Sequence, residues 1–475
     1  MPGPKVAISA EPPALAEGLR RLRDTLGVPA EFPADVLADA ERAAARPLPE
    51  LPDRTDIAFV TLDPASSTDL DQAFHLSRVG DGYLLRYAIA DVADFVAAGS
   101  AVDVEAHQRG ETLYAPNYRT PLHPPVLSEG AASLLPDQVR PALVWELELD
   151  TEGRTTATHV ARALVRSRAK LDYVSAQAAL DAGTADEQLE LLRTVGTLLQ
   201  IQEVARGGVS LNVPEQEVVT QGSVWSLAYR APLPIEGWNA QLSLATGMAA
   251  AKLMLGAGVG LLRTLPPAKE SSIERLRRTA HALGLDWHHA QAYPDFVRSL
   301  DARVPAQAAM LNSCTTLFRG AGYLVLDGTT PEQPEHAAIA APYAHVTAPL
   351  RRLADRYAGE VCLAICAGTP VPRWVLEGLP ELPGEMSESG RRTNKFERGT
   401  VDLVEALVLA PRMGQTFDGV VIALDEEDEN EGVLQLTDPA VEAKVKGGRL
   451  VLGQEVQATL TAADLVTGAV QFRLL

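Results

Sequence analysis

The sequence predicts an α+β protein: a short helical amino-terminal module, a central body of mixed sheet wrapped by helices, and a carboxy-terminal OB-type β-barrel. Three observations predict it. Apolar residues recur at helical spacing over 13–26 and 33–46, and β-rich runs occupy much of 57–150. Residues 415–475 divide into about five short β-rich runs punctuated by glycine and acidic turns, the pattern of a small closed barrel. At 475 residues and 46% hydrophobic content, the chain can bury more than one core.

The elements follow in order. The stretches 13-PALAEGLRRLRDTL-26 and 33-PADVLADAERAAAR-46 each carry proline near the start and read as two helices, a small cap with a helix-turn-helix as the alternative. The proline-rich 47-PLPELPD-53 reads as a linker, so residues 1–52 form one module. Strands are predicted at 57-IAFVTL-62, 73-AFHLSR-78, 83-YLLRYAIA-90 and 143-LVWELELD-150, with turns at 79-VGDG-82 and 151-TEGR-154. Residues 175–206, 240–262, 270–284 and 350–367 are rich in Ala and Leu and helical by period, which completes a body over 53–411. The barrel takes 412–475, with the acidic run 425-DEEDENE-431 as a solvated loop between strands.

A net charge of −20 excludes binding of nucleic acid by a basic surface alone, so any such role must be local. Basic residues do cluster at Arg162, Arg166, Arg168 and Lys170, at Arg351, Arg352 and Arg356, and at Arg391, Arg392, Lys395 and Arg398. Nothing resembles a signal peptide or a membrane span, and the expected location is the cytoplasm. Cys314, Cys362 and Cys366 supply neither a disulfide framework nor a zinc site and read as structural thiols.

The chemistry concentrates in 61-TLDPASSTDLDQAF-74. Asp63, Asp69 and Asp71 fall within nine positions, and no Lys or Arg occurs between Arg54 and Arg78. A two-residue turn at Asp81-Gly82 would pair positions summing to 163 and set Asp91 opposite Gln72. Four carboxylates would then converge, and like charges so placed must protonate or bind a cation; hard oxygen donors suit Mg²⁺ or Mn²⁺. Against this stands the reading of Ser66, Ser67, Thr68 and Asp69 as turn and cap residues with Asp71 solvated, which the carboxylate density outweighs. An aspartyl phosphatase built on Asp69 and Asp71 lacks the strand-terminal placement and the following Thr of such nucleophiles.

These residues resemble the RNB family of ribonucleases, which includes ribonuclease II and ribonuclease R. The family's aspartate motif aligns with 61-TLDPASSTDLDQA-73 and its next strand with 87-YAIADVADFV-96. The blocks 109-RGETLYAP-116, 121-PLHPPVLSEGAASLLP-136 and 167-SRAKLDYVSAQ-177 follow in family order, and 343-YAHVTAPLRRLADR-356 is the most specific. The resemblance covers about 55 to 400 and implies processive 3′→5′ hydrolysis of single-stranded RNA to 5′-mononucleotides with two divalent ions. It implies Asp63, Asp69, Asp71 and Gln72 as metal ligands and Arg351 as the residue stabilising the pentavalent phosphorus. It implies Tyr114 as a stack for the terminal base, and His345, Thr347, Arg352 and Glu397 as substrate contacts, with Glu397 one position out of register. The carboxy-terminal barrel resembles the S-one type, and a monomer is expected by family likeness.

Departures from the family pattern set further expectations. Gln72 stands where the family usually has a fourth aspartate, so it offers an oxygen without charge. The alternative function is therefore an RNA-binding protein with reduced or lost catalysis. Ala240 and Gln241 replace paired glutamates, and a His is missing after Arg263. About 50 amino-terminal residues are too few for two cold-shock barrels, which predicts an open entrance and tolerance of structured RNA. Phe417 and Phe472 are the only aromatics after Phe396, so the barrel should guide backbone rather than stack bases.

Overall fold

The structure, a computed structural model, describes residues 13–114, 119–211, 215–221, 224–318, 320–329, 331–425, 428, 430–436, 438–439 and 441–475. The end of the 109–116 motif and part of the acidic run 425–431 lie outside the described residues.

The first two helices are α1 (Pro13–Leu26) and α2 (Ala34–Ala44). A hairpin or helix-turn-helix would pack them on one another. Instead α1 lies along the long carboxy-terminal helix and α2 against the helix at 101–109, so each is a strut on the body. The connector between them is pinned by buried Arg109, which donates to the Glu31 carbonyl at 3.0 Å and stacks 3.7 Å from the Phe32 ring.

The body begins with β1 (Phe59–Asp63), β2 (Gln72–Val79) and β3 (Gly82–Ala90), then α3 (Val92–Phe95), α4 (Ala101–Arg109), the short pair β4 (Leu113–Tyr114) and β5 (Arg119–Thr120), and the long strands β6 (Val139–Leu149) and β7 (Thr155–Asp172). The mixed sheet expected from sequence closes: β1-β2-β3-β6-β7 is a barrel with antiparallel neighbours except the parallel β1–β7 closure. Buried Trp145, Tyr87, Leu85 and Leu147 help fill this part of the core.

The β2–β3 register corrects one expectation. Val79 pairs with Gly82, so the turn residues are Gly80 and Asp81, with Gly80 at φ 57 in the first central position where positive φ is needed. Gln72 therefore faces Ile89, and Asp91 lies beyond the paired stretch.

Helices enclose the barrel: α5 (Tyr173–Asp181), α6 (Glu187–Arg206), α7 (Pro234–Ala257), α8 (Glu270–Ala282), α9 (Tyr293–Arg298), α10 (Pro305–Cys314), α11 (Leu353–Ala367), α12 (Arg373–Gly378) and α13 (Leu382–Leu409). The stretch 175–206 divides into α5 and α6 because Asp186 caps a new helix, accepting from the Leu189 amide at 3.0 Å. The stretch 240–262 divides because Gly258 ends α7 in the left-handed region, and the chain continues as a strand. The central helix α7 buries Leu242, Ala245, Ala250 and Met254 against α6 and α11, each larger side chain contributing about 1.5–3 kcal/mol. Gly247 lets it press onto the site segment, since a Cβ there would stand 2.2 Å from the Tyr343 ring.

Three ribbons accompany the helices: β8 (Glu215–Gln221) with β9 (Val224–Arg230), β10 (Val259–Thr264) with β11 (Gly322–Asp327), and β12 (Glu335–His336) with β13 (Ala341–Pro342). The last five strands, β14 (Thr416–Leu424), β15 (Glu431–Leu436), β16 (Glu442–Lys446), β17 (Glu455–Ala463) and β18 (Val470–Leu474), close a second barrel. Phe417 and Phe472 meet edge-on at 5.6 Å in its core, so neither ring is offered to a ligand. Cys314 and Cys362 are buried and Cys366 is partly so. Among the described residues no helix is long and apolar enough to cross a membrane.

Candidate active site

The aspartate loop is assembled from both ends of the body. Asp63 ends β1, where it pairs with Asp172 at the end of β7, and Asp71 immediately precedes β2. Between them the loop is braced by its carbonyls: Lys170 on β7 donates to the Ala65 and Ser67 oxygens, each at 2.6 Å. Ser133 accepts from the Leu70 amide at 2.9 Å and donates to the Thr68 oxygen at 2.8 Å.

The second half of the site is the turn leading into α11. Asp355 accepts from the Ala348 amide at 2.7 Å, and the Leu350 amide reaches across to Asp71 Oδ1, also at 2.7 Å. Arg351 Nε then stands 3.3 Å from Asp71 Oδ2, an ion pair in which Nε makes no hydrogen bond. The segment before Tyr114 is stitched to the same turn, Thr112 N–H to the Arg351 carbonyl at 3.0 Å and Leu353 N–H to the Gly110 carbonyl at 2.9 Å. Gly110, at φ 72, also lets α13 come close, since Ser389 Cβ is 2.5 Å from where its own Cβ would be. This docking puts Tyr114, 36% exposed, within the fields of Arg351, Asp69 and Asp71.

The carboxylates are not alone, as the sequence suggested they would be. Arg119 on β5 holds Asp69 at 2.5 Å and Glu129 at 2.7 Å, and also donates to Thr68 Oγ1. Arg119 is not legible as a partner in the sequence because β5 is two residues long, carries no strand signal and lies 50 positions from Asp69. Asp91 does not join the cluster: it is buried against Arg162 at 2.7 Å, which also holds Glu360. The expected convergence of four carboxylates is not seen: Asp91 pairs with Arg162, and Asp63, Asp69 and Asp71 do not close into a three-carboxylate group among the described residues. Gln72 is partly committed, its Oε1 accepting from the Tyr87 hydroxyl and from Ser243 at 3.2 Å.

Burial pushes Asp71 up to about 8 against the opposing field of Arg351, and the charge of Asp69 adds to the rise. Hard oxygen donors of this kind fit Mg²⁺ or Mn²⁺ by their chemistry. As they stand, no three His, Cys, Asp or Glu side chains among the described residues form a group that could hold a metal ion; Asp69 and Asp71 each face a guanidinium instead.

The remaining predicted contacts lie deeper or to one side. Thr347 is buried, and Arg352 forms two hydrogen bonds to Asp355 at 2.8 Å each, which fixes the turn that presents Arg351. His345 sits 2.7 Å from the Tyr323 hydroxyl, and burial holds its ring well below the ordinary range and so neutral. Glu397 on α13 is pushed up to about 7 by burial and by Glu111. The basic residues of β7 are largely occupied: Arg162 by Asp91 and Glu360, Arg168 by the Thr55 carbonyl at 2.6 Å, and Lys170 by the aspartate loop.

Comparison with known proteins locates these features. Residues 52–364 match the RNB domain, and residues 415–475 match the C-terminal S1 domain of RNase II-type exonucleases. Ribonuclease R of Mycoplasma pneumoniae is 28% identical over 429 residues, covering 81% of this chain and 57% of that protein. Ribonuclease R of Aquifex aeolicus is 25% identical, covering 94% of this chain and 69% of that one. This chain thus spans somewhat more than half the length of the mycoplasmal relative. Among solved structures, Mycoplasma genitalium RNase R in complex with ribose methylated single-stranded RNA superposes with a TM-score of 0.85 at 20% identity, covering 98% of this chain and 78% of that one. Yeast Ssd1, a pseudonuclease, shares the fold at a TM-score of 0.69 and 15% identity, covering 88% of this chain and 54% of that one.

Proposed function

The chain belongs to the RNB family of ribonucleases, and from that premise we propose that it is a divalent-metal-dependent 3′→5′ exoribonuclease acting on single-stranded RNA and releasing 5′-mononucleotides. The observation that carries the reading is Asp71 held between the Leu350 amide and Arg351, with Asp69 and Tyr114 beside it. Aspartates from the start of the body meet an arginine from its far end, beside an exposed aromatic ring.

In this reading Asp63, Asp69 and Asp71 would hold Mg²⁺ or Mn²⁺, and Gln72 would contribute an uncharged oxygen. Two such ions would supply an activated water and offset the charge on the leaving oxygen. Arg351 turns its buried Nε to Asp71 while its side chain stays 38% exposed, so the planar fork is open to the equatorial oxygens of a phosphorus under attack. Tyr114 offers its ring to the terminal base, and stacking reads no sequence. Glu397 contacts the 3′ end only if the strand reaches α13. Arg352 acts on substrate indirectly, by fixing with Asp355 the turn that presents Arg351, while His345, bonded to Tyr323, and buried Thr347 lie on the segment that leads into it.

The second reading is an RNA-binding protein that has lost turnover, favoured by Gln72 in place of a carboxylate. One experiment separates the two: a 5′-labelled single strand incubated with Mg²⁺, Mn²⁺ or EDTA, beside a DNA strand and Asp71→Asn. Metal-dependent shortening of RNA, lost with EDTA and in the variant, is the result expected. Retention of intact RNA under both metals would leave the binding protein.

A further inference from the structure

Arg119 is the counter-ion of Asp69 and also the cross-strand partner of Tyr114 on the short β4–β5 pair. Its guanidinium is shared: Nη1 lies 2.5 Å from Asp69 Oδ1, while Nη2 lies 2.7 Å from Glu129 Oε1 and also donates to Thr68 Oγ1. Glu129 itself accepts from Thr68 Oγ1 at 2.9 Å. If Asp69 lets go, Glu129 and Thr68 still hold the guanidinium, and the Nη1 edge is released. A cation and a guanidinium compete for one carboxylate, because the charge that binds the first is the charge that holds the second.

We propose that Arg119 is a reversible counter-ion of Asp69: it yields the carboxylate to a divalent ion and turns its freed Nη1 edge to a phosphate of the RNA strand, so that metal and RNA bind in a coupled step. The inference rests on the exonuclease reading for its substrate, and deepens it by naming a residue that opposes metal binding and favours RNA binding. The stacked terminal base and the phosphate then lie on the two strands of one β pair, Tyr114 with the base and Arg119 with the backbone.

The test uses the full chain and Mn²⁺ as probe, with free Mn²⁺ followed by electron paramagnetic resonance in the absence of RNA. Arg119→Met should bind Mn²⁺ about 3- to 20-fold more tightly than the wild type, the scale of losing one partly exposed charge beside the site. Its KM for RNA, or its Kd by fluorescence anisotropy if the wild type does not turn over, should rise by a similar factor. Arg119→Lys restores the charge and should return Mn²⁺ affinity toward the wild-type value. Arg119→Gln carries the same expectation as Arg119→Met and replaces it if that variant melts early. The opposite directions are the point, since a merely structural arginine would weaken both ligands when removed. Equal or weaker Mn²⁺ binding in both neutral variants overturns the proposal, as does unchanged RNA affinity. A wild type that takes up Mn²⁺ but shortens no RNA defeats the exonuclease reading instead, and the Mn²⁺ comparison still decides whether Arg119 opposes the ion at Asp69.

Discussion

Arg351 and Asp71 form an ion pair at 3.3 Å, although one lies in the turn before α11 and the other in the loop before β2. The Arg351 Nε is buried toward Asp71, but the side chain is 38% exposed, so the guanidinium is open to a ligand beside a buried carboxylate. Replacing Arg351 by Lys keeps the charge and loses the planar fork. The expected result is a fall of about 100- to 1,000-fold in kcat with little change in RNA affinity, the loss associated with a donor used mainly in the transition state. Single-turnover rates on a labelled strand measure it.

Tyr114 presents an exposed ring at the site. Base stacking is worth roughly 1–3 kcal/mol by alanine substitution, so Tyr114→Ala should raise KM for RNA by about 5- to 100-fold, whereas Tyr114→Phe should stay close to wild type. A Tyr114→Phe defect equal to that of Tyr114→Ala would assign the effect to the hydroxyl and not the ring.

Gln72→Glu restores a carboxylate with the same side-chain length, and so keeps acceptors for Tyr87 and Ser243. If the protein cuts RNA, the half-saturating Mg²⁺ concentration should fall about 3- to 10-fold through the added charge. If the wild type binds without cutting, the same variant is the one in which cutting should appear. No change in metal dependence would show that position 72 lies outside the ligand set.

Glu397 makes a signed prediction for pH. Its carboxyl is pushed up to about 7 in the folded protein from an ordinary value of 4.5. Between those values the unfolded chain ionises while the folded one keeps its proton, so this residue lowers stability as pH rises from about 4.5 to 7 and adds no further slope above. Urea unfolding at pH 5 and pH 7 should show a smaller loss for Glu397→Gln than for the wild type. Equal losses in the two proteins would remove Glu397 as the source.

Arg356 and Asp103 are a buried pair joining α11 to α4, with Arg356 also donating to the Val96 carbonyl at 2.8 Å. Asp103→Ala strands the guanidinium and should cost about 3–5 kcal/mol in denaturant unfolding. The double replacement Asp103→Leu with Arg356→Met should recover much of that loss, because two apolar groups leave no buried charge behind.

Much of this protein is determined by local sequence. Helical period with proline starts located α1 and α2, period-two runs located β1, β2, β3 and β6, and five β-rich runs became the closed carboxy-terminal barrel. The motif blocks singled out the aspartates, Arg351 and Tyr114 as candidates because such blocks carry their identity in a few adjacent residues. Tertiary structure decided the rest. The β2–β3 turn moved by one residue because Gly80 takes the positive φ, and that shift removed Asp91 from the cluster. Asp91 found Arg162, and Asp69 found Arg119, through pairings between segments far apart in the chain. Counting charges along the sequence could locate the aspartates but not their counter-ions, because a field acts through space and falls with distance, whichever part of the chain supplies the opposing charge.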